Sequence, residues 1–181
     1  MSVKQMRIPK STRQLLELAM AMTGNKIATG KSLLEIGSYR GESTRLLYVF
    51  FRRIVCVDRW APYPDTSRNP QAIITNYNQS QWAEVERDFD RIAGSLPGVE
   101  KLKGSSADIP KDIASFDACY IDGDHTEDGC SRDILTVLPL MKPHALVCGD
   151  DYCRKSVRQA VANCLPTKQV RRFGKEWMVR L

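Results

Sequence analysis

Ser32-Leu33-Leu34-Glu35-Ile36-Gly37-Ser38-Tyr39-Arg40-Gly41-Glu42-Ser43-Thr44 decides how this 181-residue chain is read. A short apolar stretch carrying one acid runs into a turn with two glycines and opens into a helix-like segment. A strand that stops at a glycine lets a ligand approach the backbone, because no Cβ stands in the way. The helix that follows offers unpaired N–H groups and the positive end of its dipole. About twenty residues on, Ile54-Val55-Cys56-Val57-Asp58 ends a second apolar strand in a carboxylate, the usual partner of ribose hydroxyls in nucleotide-binding α/β folds. The pair predicts a site for a nucleoside-containing cofactor.

What the turn lacks narrows the choice. A dinucleotide fingerprint needs G-x-G-x-x-G, so that backbone can touch a pyrophosphate. Here Tyr39 and Glu42 occupy the second and third glycine positions, placing bulk and negative charge where phosphates would lie. S-adenosylmethionine has no phosphate and carries a sulfonium and an amino group, so Glu35 and Glu42 are compatible with it.

At 181 residues the expectation is one domain, 1–181, with a single core. The net charge of +6 comes from scattered Lys and Arg, with no long basic run and no aromatic–basic interleaving. That pattern reads as a solvated surface and argues against nucleic acid as a partner. No apolar run reaches the ~20 residues of a membrane span and no signal core is visible, so a cytoplasmic protein is expected. Of the six cysteines, Cys56, Cys119 and Cys148 sit in apolar strand-like runs as small hydrophobes. Cys130, Cys153 and Cys164 lack C-x-x-C spacing and a histidine pair, so zinc is not expected.

Ser11 and Gln14 suggest a helix start, and Leu15, Leu16, Leu18, Ala19 and Met22 give that N-terminal helix (within 1–30) an apolar face. Strand runs are expected at 33–36, 54–57, 99–102, 118–121, 145–148, 169–172 and 177–181. Helices are expected at 42–51, 81–93, 109–113, 127–140 and 154–164. Apolar strands alternating with helices indicate a parallel sheet covered on both faces. The last two strands, separated by Phe173-Gly174-Lys175-Glu176, suit an antiparallel hairpin. The stretch 61–80, rich in Pro, Asn and Thr, is the one long loop and a candidate lid. Trp60, Tyr63 and Trp82 would stack on an acceptor ring or pack that loop.

Two later strands also end in acids: Tyr120-Ile121-Asp122-Gly123-Asp124-His125 and Val147-Cys148-Gly149-Asp150-Asp151-Tyr152. In an open α/β sheet these ends form the ligand-binding rim. Up to four carboxylates and one imidazole gathered there need a cation, and an oxygen-rich set suits Mg²⁺ or another divalent ion. Asp150 has an alternative use as an N-terminal acid for the helix at 154–164, and Asp124 as an Asx-turn. His125, beside the carboxylates, is a candidate proton acceptor. His144, in a turn, is read as structural.

These residues carry a resemblance. Leu34-Glu35-Ile36-Gly37 with Gly41, Asp58, Gly104-Ser105-Ser106, Ile121-Asp122-Gly123-Asp124-His125, the stretch from Leu138 to Lys142-Pro143 and Gly149-Asp150-Asp151-Tyr152 are similar to the small class I S-adenosylmethionine-dependent O-methyltransferases. The metal-dependent branch acting on sugars and natural products is the nearest in pattern, with catechol-type enzymes more distant. The resemblance spans 33 to the C-terminus. It implies a Rossmann-like, doubly wound seven-stranded α/β sheet, mostly parallel, with a C-terminal antiparallel hairpin. It also implies O-methylation of a hydroxyl on a small-molecule or saccharide acceptor. By the same resemblance Glu35, Gly37, Ser38, Gly41, Ser43, Asp58, Ser106 and Asp122 hold S-adenosylmethionine, and Asp122, Asp150 and Asp151 hold Mg²⁺. Asp122, Asp124 and His125 form the catalytic group. Catechol-type enzymes place a lysine base just after the first metal aspartate. This chain has no lysine between Tyr120 and Leu140, so the base falls to His125 or Asp124. Only one helix precedes the first strand, which suits acceptor closure by the 61–80 loop or by a homodimer partner.

Two other functions fit parts of the chain. Asp122-Gly123-Asp124-His125-Thr126 also matches the D-x-D-x-T pattern of haloacid-dehalogenase-like phosphatases, with Asp122 as nucleophile, Asp124 as acid/base and Asp150 and Asp151 on Mg²⁺. That motif belongs after a first strand, whereas here it follows the fourth. The remaining alternative is a basic, non-catalytic cofactor-binding module.

Overall fold

The computed structural model describes residues 10–62 and 77–181. The elements are α1 (Lys10–Thr23), β1 (Thr29–Ile36), α2 (Glu42–Leu47), β2 (Phe51–Asp58), α3 (Gln79–Ala93), β3 (Val99–Lys103), β4 (Phe116–Ile121), α4 (Glu127–Val137), β5 (Met141–Gly149), α5 (Lys155–Cys164), β6 (Arg171–Phe173) and β7 (Glu176–Arg180). The seven strands form one sheet in the order β3-β2-β1-β4-β5-β7-β6. The first five pair in parallel, and β7 runs antiparallel to both β5 and β6.

Successive strand residues point to opposite faces, and the apolar runs therefore feed two cores. Leu33, Ile54, Cys56, Tyr120, Leu146 and Met178 pack with α1, α2 and α3 through residues such as Leu18, Leu47 and Phe89. Leu34, Val55, Val57, Cys119, Val147 and Trp177 pack with α4 and α5 through Ile134, Val137, Val157 and Val161. A strand buried on both faces must be apolar at nearly every position, which is why these segments show no alternation in sequence. All six cysteines are free thiols, with Cys56, Cys119, Cys130 and Cys148 buried.

Three local expectations shift. Ser11 lies inside α1, which already runs from Lys10. The helix after the glycine turn ends at Leu47, because β2 claims the chain from Phe51. No α-helix forms at 109–113. Instead, a single 3-10 turn, Ser106–Asp108, is closed by Asp108, which accepts from the Ser105 backbone and hydroxyl at 2.8 and 2.7 Å. Pro110 withholds the N–H that a helix continuing there would require.

The order of the sheet reverses between β1 and β4, which start crossovers in opposite directions, and a crevice opens at their carboxyl ends. The ladder runs past the strand ends: Gly37 N–H donates to Val57 at 2.8 Å, Asp122 N–H to Ile36 at 2.8 Å and Asp150 N–H to Ile121 at 3.1 Å. These bonds fix the first residue of each rim loop. Residues 63–76 of the long loop, including Tyr63, lie outside the described residues.

Candidate active site

Gly37 leaves β1 with φ of 86°, and a Cβ there would stand 2.2 Å from the Asp122 carbonyl oxygen. Only glycine lets the β1 and β4 loops approach this closely. Beneath the turn, Glu35 is fully buried and accepts from Ser38 at 3.1 Å, Ser43 at 2.6 Å, Thr44 at 2.5 Å and the Cys56 thiol at 3.3 Å. Burial raises its carboxyl above the ordinary range, and the four donors work the other way. Glu35, Ser38 and Ser43 thus point into one another as an internal brace that shapes the turn. Gly41, at φ 84°, packs beside Phe89 and Ile92 as α2 begins.

The crevice above the turn is a cavity of about 140 Å³ lined by Gly37, Asp58, Ser106, Asp122 and Asp133, among others. Asp58 is anchored by backbone donors, accepting from Tyr39 N–H and Trp60 N–H at 2.9 Å each. The Arg59 backbone donates to the same carboxylate, which with Tyr39 and Trp60 fixes its orientation at the cavity wall. Burial raises this carboxyl as well. On the opposite wall Ser106 donates to Asp133 at 2.6 Å, and burial pushes Asp133 up to about 6. Trp82 lines the same cavity while 3% exposed, and its Nε1–H has no hydrogen-bond partner among the described residues. A buried orphan donor is uncommon in folded proteins. Trp60 is buried against Phe89, so both described tryptophans of this region pack, and one of them also faces the cavity.

Beyond the cavity the ends of β4, β5 and β7 meet. His125 Nε2 lies 3.0 Å from Asp122 Oδ1 and 3.5 Å from Asp151 Oδ2. Ser156 holds the His125 carbonyl at 2.6 Å. Burial works against the imidazolium, but the bond to Asp122 and the charges of Asp122 and Asp151 outweigh it, so His125 titrates above its ordinary value. Asp122 is raised, chiefly by burial and then by the charge of Asp150, with the His125 bond opposing. Asp151, at φ 54°, pairs with Arg154 at 2.5 Å. Asp150 pairs with Lys175 and also accepts from the Asp151 N–H at 2.6 Å. Glu176 is buried, receives the Tyr120 hydroxyl at 3.0 Å, and is pushed up to about 8 by burial and the charge of Asp150.

Asp124 takes a different role. Its Oδ1 accepts from the Thr126 N–H at 2.9 Å, and Thr126 in turn caps α4 through Gly129 at 3.0 Å. It lines the cavity from this Asx-turn and is no partner of the rim cluster. A phosphatase-type acid/base needs that carboxyl free. Of the residues expected to hold Mg²⁺, Asp122 faces His125, Asp150 faces Lys175 and Asp151 faces Arg154 and His125. Among the described residues no group of three or more acids, histidines or cysteines gathers as a ligand set. As placed, this donor set does not fit a divalent ion.

Sequence reasoning missed Lys175, Asp133, Tyr120, Glu176 and the free N–H of Trp82. Lys175 left one signal: if the hairpin is antiparallel to β5, the residue before β7 must land beside the residue after β5.

The comparisons agree with this architecture. A sequence profile for a methyltransferase domain matches residues 34–152. No curated protein matches the chain in sequence. Among solved structures, the O-methyltransferase NovP superposes with a TM-score of 0.66 at 17% identity, covering 94% of this chain and 79% of NovP. The N-methyltransferase NodS from Bradyrhizobium japonicum WM9 gives 0.62 at 12% identity, with 94% and 93% covered. An O-methyltransferase from Bacillus cereus, in complex with SAH, gives 0.60 at 16% identity, with 99% and 84% covered. The chain belongs to the methyltransferase-domain family and has the seven-stranded fold of the class I S-adenosylmethionine-dependent enzymes. Among the described residues no helix is long and apolar enough to cross a membrane.

Proposed function

We propose that the chain transfers a methyl group from S-adenosylmethionine to a hydroxyl oxygen of a small-molecule or saccharide acceptor. The observation that carries the oxygen acceptor is the His125–Asp122 pair at 3.0 Å, a proton acceptor with an orienting carboxylate whose Asp122 also lines the cavity. The SAH-bound Bacillus cereus enzyme, with the same fold, supports the cofactor.

Asp58 would hold the ribose hydroxyls, Ser106 and Asp133 would flank the base, and the Gly37 turn would lie against the remainder. When bound, the cofactor supplies an electrophilic methyl carbon whose bond to sulfur breaks with the electron pair left on sulfur. The protein's own work is orientation and proton acceptance. Asp122 accepts the Nε2–H of His125, which leaves Nδ1 as the basic nitrogen. The acceptor hydroxyl gives its proton to that nitrogen as the new carbon–oxygen bond forms. Holding acceptor and methyl carbon in line supplies much of the rate. No step is routed through a metal, because Asp150 and Asp151 already face cations of the chain itself.

Calorimetric titration of the protein with S-adenosylmethionine, with NAD as control, followed by labelled-methyl transfer to a panel of sugar and phenolic hydroxyls, tests the proposal. Binding of S-adenosylmethionine alone and label on oxygen are expected. No binding of S-adenosylmethionine refutes it.

A further inference from the structure

The antiparallel register of β5 and β7 pairs Gly149 with Trp177. The connection between β6 and β7 is therefore delivered to the rim at which Asp150 and Asp151 leave β5. Gly174, at φ 71°, makes the turn, and the next residue, Lys175, accepts the Tyr152 N–H at 2.8 Å on its backbone. Its side chain donates to Asp150 Oδ2, while the Trp177 indole donates to the Asp150 carbonyl at 3.2 Å. The Asp150 side chain is 8% exposed. Indole and ammonium thus fasten the hairpin to this one aspartate, and the Lys175 carbonyl fastens it to Tyr152.

The charges around it explain why a cation is needed. Asp122, Asp150, Asp151 and Glu176 crowd the rim, and uncompensated carboxylates at this burial are costly. Lys175 feels Asp150, Glu176 and Asp122 together, and its ammonium is stabilised despite burial. Arg154 covers the outer side of Asp151. A divalent ion needs carboxylate oxygens that are free to coordinate it. Here the central oxygen of Asp150 is already spent on a lysine.

We propose that Lys175 is the resident cation of the acceptor rim, occupying the charge position that the sequence resemblance assigns to a divalent ion, and that this chain works without one. Lys175 is a positioning residue: it holds Asp150 and keeps positive charge beside the Asp122–His125 pair. The inference rests on the methyltransferase reading for the meaning of the rim, but not for its test.

The test is Mn²⁺ titration, by calorimetry and by electron paramagnetic resonance, of SAH-saturated wild type, Lys175→Met and Lys175→Arg. Wild type and Lys175→Arg are expected to take up no stoichiometric Mn²⁺. Lys175→Met frees the Asp150 carboxylate beside Asp122 and Asp151, and should bind one Mn²⁺ per chain, with affinity raised on the order of tenfold or more. Stoichiometric Mn²⁺ binding by wild type overturns the proposal, as does a folded Lys175→Met that binds Mn²⁺ no better than wild type. If Lys175→Met does not fold, the wild-type and Lys175→Arg titrations decide. Failure of wild type to bind SAH would instead count against the methyltransferase reading, with the Mn²⁺ result still reporting on Lys175.

Discussion

Replacing Asp133 by Asn should stabilise the protein, and by an amount that depends on pH. Asp133 is 8% exposed on α4, with Ser106 donating to one oxygen at 2.6 Å, the Asp124 backbone N–H as a second donor, the Asp124 carboxylate raising its pKa and Arg132 lowering it. Burial dominates and moves the carboxyl from 3.8 to about 6. A raised carboxyl means that the folded chain holds the proton more tightly than the unfolded chain does. Stability from this group is therefore complete below the unfolded value and falls as pH rises through the folded one. At about 1.4 kcal/mol per unit, the full cost is about 3 kcal/mol above neutrality. About 1 kcal/mol of it is already present near pH ~4.5. Asn cannot ionise, and Ser106 can rotate its hydroxyl to suit the amide. Urea unfolding of wild type and Asp133→Asn is expected to differ by about 1 kcal/mol near pH ~4.5 and by about 3 kcal/mol near pH ~7.5, with Asn the more stable. A difference that stays constant with pH, or one favouring Asp, would refute the account of this carboxyl.

Gly37→Ala places a methyl 2.2 Å from the Asp122 carbonyl at a φ of 86°, so a loss of about 3 kcal/mol or more, or no folded protein, is expected from thermal unfolding. Trp82→Phe removes an orphan donor but leaves part of the indole's volume empty in the core. Urea unfolding of the ligand-free protein should become easier by about 1–3 kcal/mol, the lost packing outweighing the relieved donor. A variant as stable as wild type would show that relief of the unpaired donor offsets the lost packing. His125→Gln should lower methyl transfer by about 10²–10⁴-fold in single-turnover assays. SAH binding should stay within roughly twofold of wild type, since the imidazole acts on the acceptor.

Much of this was legible in the sequence because strands buried on both faces have little freedom. Leu33–Ile36 and Ile54–Val57 could only be central strands, and a glycine or an acid at their ends could only lie at the rim. Asp58, Asp122 and His125 fall where that logic puts them. What the sequence hid was direction and pairing. Glu35 ends an apolar run just as Asp58 does, but its side chain turns inward to Ser38, Ser43 and Thr44 instead of outward to a ligand. Asp124 looks like a rim acid until Thr126 claims it for a helix start. The Ser106–Asp133 bond spans 27 residues and the Lys175–Asp150 pair 25, and no local pattern announces either.

The hairpin of β6 and β7 divides the molecule's labour. Gly37, Asp58 and Ser106 follow the parallel strands β1, β2 and β3 and Asp133 lies on α4, while the cation at Asp150 arrives from the antiparallel half. The hairpin is laddered to β5 along Leu146–Gly149 and packs Trp177, Met178 and Val179 into the two cores, so that only its turn reaches the rim. A hairpin with another side chain at position 175 would change the charge of that rim without altering any residue that lines the cavity.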